Sequence, residues 1–160
     1  MKVVLSRLPE TPEEFRLVLD RKSPENVCAM FLCALTFYLK DREAGIEAMD
    51  LLRGPRPMSP YDVQFLRDRL RGKAYLPLAY FDGAGPENGY TPTVPYSLEV
   101  LPDPTGNNVG EGYLKLFLKT AGADSPRPIT LRRKGDEWFL WEYSSILTGI
   151  RIPAAEDPWA

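Results

Sequence analysis

Histidine is absent from this chain of 160 residues, and cysteine occurs only twice. Without histidine, the Ser–His and Cys–His nucleophile pairs of many hydrolases are excluded. Two cysteines alone also cannot supply the four ligands of a structural zinc site. The run of alternating Asp and Asn that is typical of a calcium loop is missing as well. The sequence therefore predicts no cofactor, no metal site and no catalytic residue. It favours binding over catalysis, and whether the protein is an enzyme stays open.

Long apolar runs and an excess of basic charge are missing too. The most apolar stretch, 27–39, is shorter than the roughly 20 residues that span a bilayer, and the first residues lack the apolar region of a secretory signal. The net charge of -2 argues against a general nucleic-acid or membrane-surface binder. We therefore expect a cytoplasmic protein with no nucleic-acid or membrane partner, and the oligomeric state stays open.

The two cysteines, Cys28 and Cys33, are five residues apart in a segment that is predicted to be helical. At that spacing the two side chains point in different directions and do not easily form a disulfide with each other. No activating group is evident near either thiol. We expect both cysteines to be small buried hydrophobic residues of a protein in a reducing compartment.

The first part of the chain, about 11–71, is predicted to be helical. Three helix starts share one pattern, a hydroxyl side chain followed by proline, at Thr11, Ser23 and Ser59. Asp41 begins a further helix that Gly54 ends. The helix that follows Ser23 runs to about residue 40 and is apolar on nearly every face, which predicts a helix buried at the centre of the fold.

The second part, about 74–152, changes to the period of two that is typical of strands. Gly and Asp at 135 and 136 lie between two alternating runs and predict a tight hairpin. Helices followed by strands predict an α+β fold, a single domain over 1–160 with the N-terminal helices packed on one face of a C-terminal antiparallel sheet. The predicted strands are 74–81, 96–100, 114–118, 129–134 and 137–143. The predicted loops between them are 82–95, 102–110 and 121–128. A further strand or short turn is predicted at 146–152.

The hairpin is the first candidate for a binding site because it is rich in aromatic residues. Strict alternation places Phe139, Trp141 and Tyr143 on one face, and Trp138 on the other. The turn brings Arg132 opposite Phe139, so an arginine–aromatic stack is expected there. Two interpretations stay open: both aromatic faces are covered by core and loops, or one of them lines a groove for a ligand or a partner.

The loop 82–95 is the second candidate because it is the longest irregular stretch of the chain, and long ordered loops often carry function. Basic residues occur at 132–134 and in 67–73, where solvation and the dipole of a helix C-terminus explain them without a ligand. The residues predicted to bind a ligand or partner are Tyr80, Tyr90, Arg132, Trp138, Trp141 and Tyr143.

Segments 113–116, 123–128 and 138–145 resemble an uncharacterised bacterial family of unknown function, with the best resemblance over 60–160. This resemblance implies no activity. The hairpin at 129–143 is also similar to the last hairpin of the NTF2-like superfamily, whose fold forms a cone around a pocket. The four helices that precede most of the strands depart from that fold, and no catalytic residue carries over.

Two functions follow from these features. The first is a non-enzymatic protein-interaction module of a bacterial cytoplasmic protein, which binds another protein through the aromatic hairpin and the loop 82–95. The alternative is an NTF2-like small-molecule-binding pocket or enzyme. A concave cavity with a perturbed carboxylate or tyrosine would favour the second, and an exposed apolar patch would favour the first.

Overall fold

Four helices precede most of a five-stranded antiparallel sheet, so the predicted α+β class is confirmed. The computed structural model describes residues 1–106 and 109–160; residues 107 and 108, within the predicted loop 102–110, lie outside the described residues. The helices are α1 (Pro12–Val18), α2 (Pro24–Lys40), α3 (Arg42–Arg53) and α4 (Pro60–Leu70), and the strands are β1 (Lys2–Leu5), β2 (Tyr96–Pro102), β3 (Tyr113–Leu118), β4 (Arg127–Lys134) and β5 (Glu137–Glu142).

The helices begin where the sequence predicts, because capping side chains satisfy amides that have no partner within the helix. The hydroxyls of Thr11, Ser23 and Ser59 each accept a hydrogen bond from a backbone N–H three residues later. At Ser59 the interaction is reciprocal, since the Asp62 carboxylate accepts the Ser59 N–H at 2.9 Å. This capping box anchors Asp62 at the start of α4, beside the site described below.

Helix α2 is the centre of the core, as its apolar character predicts. Its residues from Val27 to Leu35 are all buried. The helix packs on α3 and on the inner face of the sheet, where the Phe31 ring lies 5.1 Å from the Tyr143 ring. Among the described residues, no helix is both long enough and apolar enough to cross a membrane.

Cys28 and Cys33 are free and buried within α2. Burial raises the pKa of both thiols, because the thiolate would lose its hydration inside the core. Both side chains therefore stay protonated and pack as small hydrophobic residues, as the sequence predicts.

The sheet is a simple meander in which each strand pairs with the next, in the order β1-β2-β3-β4-β5. The predicted hairpin is confirmed: Lys134 pairs with Glu137 across the turn, and Arg132 lies opposite Phe139. Strand β1 was not predicted from the sequence; it pairs with β2 at the opposite edge of the sheet. The inner face is apolar and covers α2 with residues such as Leu131 and Leu140.

The predicted strand at 74–81 is wrong. A 3-10 helix, Leu76–Tyr80, occupies this segment, and only Phe81 forms a bridge to β2. Pro77 explains the difference, since proline has no N–H for a strand ladder and its fixed φ suits the first turn of a helix. At 146–152, where a strand or short turn was predicted, the chain forms the short 3-10 turn Ser144–Leu147.

Candidate functional site

A β-bulge near the end of β5 sets the geometry of the candidate site. Leu140 pairs with Leu131 and Glu142 pairs with Thr130, so β5 advances two residues where β4 advances one. Trp141 is the extra residue of this bulge. The predicted strict alternation therefore fails after Leu140: Glu142 lies on the outer face of the sheet, and Tyr143 turns inward to the core.

Trp141 is packed on the outer face between cationic and aromatic neighbours. The guanidinium carbon of Arg56 lies 4.0 Å from the centroid of the indole ring, and that of Arg132 lies 4.7 Å from it. The Tyr113 ring meets the indole edge-on, at 5.6 Å. Arg56 also donates a hydrogen bond to the Trp141 carbonyl at 3.1 Å. An arginine–aromatic stack is present in the hairpin, but Arg132 stacks on Trp141 and not on Phe139, the residue opposite it where the stack was expected.

Beside this stack lies a surface groove of about 350 Å³, which we call the basic groove. It is formed by the loop after α3 on one side and by β4 and β5 on the other. Five cationic residues and no carboxylate line it, together with apolar side chains; its lining residues are Arg53, Pro55, Arg56, Arg132, Arg133, Lys134, Phe139, Leu140 and Trp141.

Four of these five cationic side chains lack a direct ion pair. Among the described residues, Arg56, Arg132, Arg133 and Lys134 form no ion pair with any carboxylate. Arg132 instead contacts the rings of Tyr113 and Trp141 on the outer face, which leaves guanidinium N–H groups free to donate to a ligand, whereas the Arg133 guanidinium lies 5.8 Å from the Trp138 ring, on the other side of β4. The basic groove is thus a concentration of positive charge on a chain of net charge -2, and the carboxylates of Asp62 and Glu142 lie close enough to Arg56 for its charge to lower their pKa values.

Arg53 is the fifth cation, and it holds the walls of the groove together. It is only 4% exposed. Its side chain donates to the Arg56 carbonyl at 2.9 Å and to the Tyr143 hydroxyl at 3.1 Å, and it forms an ion pair with Asp62 at 3.1 Å. One buried guanidinium therefore ties the loop after α3, the end of β5 and the start of α4.

The groups around Arg53 have shifted pKa values. Burial would raise the pKa of Asp62, but its hydrogen bonds with Ser59 and the charges of Arg53 and Arg56 outweigh that effect and hold the pKa below its ordinary value. Burial raises the pKa of the Tyr143 phenol, and the Arg53 charge only partly offsets the increase. At neutral pH, Asp62 is therefore ionised and Tyr143 is a neutral phenol.

A second groove of about 300 Å³ adjoins the basic groove and shares Arg53, Arg56 and Trp141 with it. Helix α4 and the end of β5 supply its other residues, which include the exposed ring of Tyr61 and the carboxylate of Glu142. The Arg56–Trp141 stack forms part of both grooves. Together the two grooves form one continuous surface. The charged residues of the basic groove are all cationic, whereas the second groove has both acidic and basic residues.

The structure divides the six residues that the sequence singled out. Arg132 and Trp141 lie together in the basic groove, and Tyr143 lines the second groove from the core side. Trp138 packs against the core on the inner face, where Arg133 lies 5.8 Å from its ring.

The remaining two predicted residues lie elsewhere. Tyr80 and Tyr90 are buried, at 1% and 0% exposed, and donate hydrogen bonds to the carbonyls of Ile146 and Arg151. Tyr90 adopts a positive φ of 58° in the loop 82–95, where its ring stacks on Tyr75 at 5.2 Å. Both hydroxyls are thus engaged with backbone groups of the C-terminal segment and do not reach the basic groove.

No group of three or more histidine, cysteine or acidic residues in the described part of the chain is arranged to hold a metal ion. The cations and the neutral Tyr143 phenol of the two grooves are suited to hydrogen-bond and charge recognition of an anion. They do not form a nucleophile paired with a base.

The family model for a domain of unknown function, DUF6935, matches residues 7–154. The chain belongs to this family. The resemblance to a family of unknown function is therefore confirmed, and the DUF6935 match covers the four helices as well as residues 60–154 of the predicted segment 60–160. No curated protein and no solved structure gives a significant match to the chain. The DUF6935 span contains every residue of the basic groove.

Two residues that shape the groove, Arg53 and Arg56, were not predicted from the sequence. Arg53 is in the last turn of α3, where a cation is usually explained by the helix dipole. Arg56 follows Gly54 and Pro55, which read only as a helix stop. The local sequence carries no signal for their contacts with β5, because those contacts are made across 85 to 90 residues of chain.

Proposed function

We propose that this protein is a non-enzymatic interaction module that binds an acidic segment of a partner protein in the basic groove. The observation that carries the proposal is the set of four cations, Arg56, Arg132, Arg133 and Lys134, that line one groove and form no ion pair within the described residues. Arginine beside exposed aromatic surface is a common composition of protein–protein contact regions. The positive charge of the groove selects a negatively charged segment of the partner.

Charge complementarity would act mainly on selectivity and on the rate of association. Four like charges around one groove create a positive local potential that attracts acidic segments and repels basic ones. The rest of the chain is acidic on balance, since the net charge is -2 with these cations included. An acidic partner is therefore drawn to this groove and not to the surface in general.

The non-enzymatic part of the proposal rests on the protonation states of the nucleophile candidates. Burial raises the pKa of the two thiols and of the Tyr80 and Tyr143 phenols, so none of them is activated at neutral pH. The absence of histidine removes the usual general base.

The alternative is a pocket for a small anionic molecule, and two observations favour it: the volume of the basic groove, and the shifted pKa values of Asp62 and Tyr143 in the adjoining groove. About 350 Å³ lies within the 300–1,000 Å³ range that is typical of ligand pockets. The experiment below therefore includes a small anion as a competitor.

The proposal includes the bacterial, cytoplasmic setting that the sequence favours. Two free thiols in the core suit a reducing compartment, because there they have no tendency to be oxidised.

The direct test is to titrate the isotope-labelled full chain with a capped hexaglutamate peptide and to map backbone amide shifts. We expect shifts confined to the loop after α3, to β4 and to β5, with hexalysine giving none there. Pyrophosphate is the small-anion competitor, and we expect it to displace hexaglutamate only at far higher concentration.

A pair of matched double variants serves as the control. Arg132→Glu with Arg133→Glu should weaken hexaglutamate binding at least tenfold, whereas Arg67→Glu with Arg71→Glu at the exposed end of α4 changes the net charge equally and should leave it nearly intact. Equal losses in both variants would mean that net charge alone drives binding, and the proposed site would be rejected. Tight pyrophosphate binding would favour the small-molecule alternative.

A further inference from the structure

We infer that the partner segment carries an aromatic side chain between its carboxylates, and that this side chain is buried against the apolar lining of the basic groove. The inference rests on the proposed function. It adds to the acidic character of the partner segment a sequence pattern, in which an aromatic residue lies between acidic ones. It is drawn from the way in which apolar and cationic residues divide the lining of the groove.

The apolar part of the lining is large enough for a ring. Pro55 and Phe139 supply this part, whereas the Leu140 side chain is buried on the inner face; the Phe139 ring lies so close to Gly54 that a Cβ there would be 2.5 Å from it. A cavity of roughly 150 Å³ is sufficient to hold benzene. A groove of about 350 Å³ therefore accommodates a phenylalanine or tyrosine side chain together with part of the backbone beside it.

The cations lie on both sides of this apolar lining. Arg56 belongs to the loop after α3, whereas Arg132 and Lys134 belong to β4 on the other side of the groove. A ring that enters between them places the preceding and following residues of the peptide beside a cation. Carboxylates at those positions would meet guanidinium N–H donors in charge-assisted hydrogen bonds.

The same contacts disfavour a nucleotide, which would also combine a ring with negative charge. The indole of Trp141 already carries two guanidinium groups, at 4.0 and 4.7 Å, and the edge-on Tyr113 ring. The Phe139 ring has the Arg21 guanidinium 5.5 Å from its centroid. A base that needs an open aromatic face for stacking would have to displace these groups.

The experiment compares two capped peptides of equal charge, Glu-Glu-Phe-Glu-Glu and Glu-Glu-Ala-Glu-Glu, by calorimetric titration of the full chain. We expect the phenylalanine peptide to bind at least tenfold more tightly. A Phe139→Leu variant, checked for folding by circular dichroism, should reduce this ratio and leave the alanine peptide nearly unaffected.

Failure of this inference is distinguishable from failure of the proposed function. Equal affinity of the two peptides, with binding still lost in the Arg132→Glu, Arg133→Glu variant, would overturn the aromatic pattern and leave acidic-segment binding standing. Absence of binding by both peptides would reject both. Adenosine monophosphate that binds the groove more tightly than the phenylalanine peptide would also overturn the inference, in favour of a nucleotide.

Discussion

At the scale of single residues, Arg53 and Asp62 control the shape of the candidate site. The Arg53 guanidinium is buried and contacts three elements, and the Asp62 carboxylate both caps α4 and pairs with Arg53. Neither residue needs to contact a ligand. Their role is to position Arg56 and the end of β5.

Replacement of Arg53 by alanine should destabilise the protein by about 2–4 kcal/mol, because it removes three interactions of a buried cation and leaves Tyr143 and Asp62 short of partners. The free energy of urea unfolding measures this. Arg71→Ala, at a residue whose side chain is 73% exposed, is the matched control and should change stability by less than about 0.5 kcal/mol. A loss at Arg53 no larger than the control would contradict the role given to it.

The lowered pKa of Asp62 predicts a pH dependence of stability. Above its ordinary pKa of 3.8 the carboxylate is ionised in both the folded and the unfolded chain, and its full contribution is present. As pH falls below 3.8, the unfolded chain takes up the proton first, so stability is lost until the folded carboxylate is also protonated.

Asp62→Asn should therefore reduce stability more at pH 6 than at pH 3, as measured by urea unfolding at both values. Asp68→Asn removes the same charge from an exposed position of the same helix and is the control. Parallel losses at both pH values for Asp62→Asn would refute the assigned pKa direction.

At the scale of elements, the contact between the end of α3 and β5 builds the groove. Gly54 ends α3 with φ 61°, and a Cβ at this position would lie 2.5 Å from the Phe139 ring. The chain passes from α3 to the outer side of β5 only because glycine permits both the conformation and the close approach.

Gly54→Ala should therefore destabilise the protein by more than the strain of a positive φ alone would. Gly72 provides the comparison, since it has φ 68° and open space around its Cβ position. We expect about 1–2 kcal/mol of destabilisation for Gly72→Ala, and at least about 1 kcal/mol more for Gly54→Ala because of the clash with Phe139. Thermal or urea unfolding of both variants measures the difference. Equal destabilisation of the two variants would show that the Phe139 ring moves aside without strain.

The predictable elements are those with local signals. The caps at Thr11, Ser23 and Ser59 and the turn at 135–136 are determined by neighbouring residues, and each occurs where the sequence predicts. The bulge at Trp141 depends on the register between two strands, and no neighbouring residue specifies it. For the same reason the inward turn of Tyr143 could not be predicted.

At the scale of the whole molecule, acidic and basic charge are distributed unevenly. The net charge of -2 predicts no attraction to acidic partners. The fold nevertheless brings Arg56 next to Arg132, which is 76 positions later in the sequence, and no carboxylate of the described residues lines the groove that they share. Composition alone therefore conceals the candidate site, which depends on the tertiary contact between α3 and β5.

The most direct test of the central claim is a reversal of the groove's charge. The triple variant Arg132→Glu, Arg133→Glu, Lys134→Glu changes three exposed side chains of β4, and its affinities for capped hexaglutamate and hexalysine peptides can be compared with those of the unaltered protein. If the cations of the groove select an acidic partner, the unaltered protein prefers hexaglutamate and the folded variant prefers hexalysine. A variant that retains its preference for hexaglutamate would contradict the account.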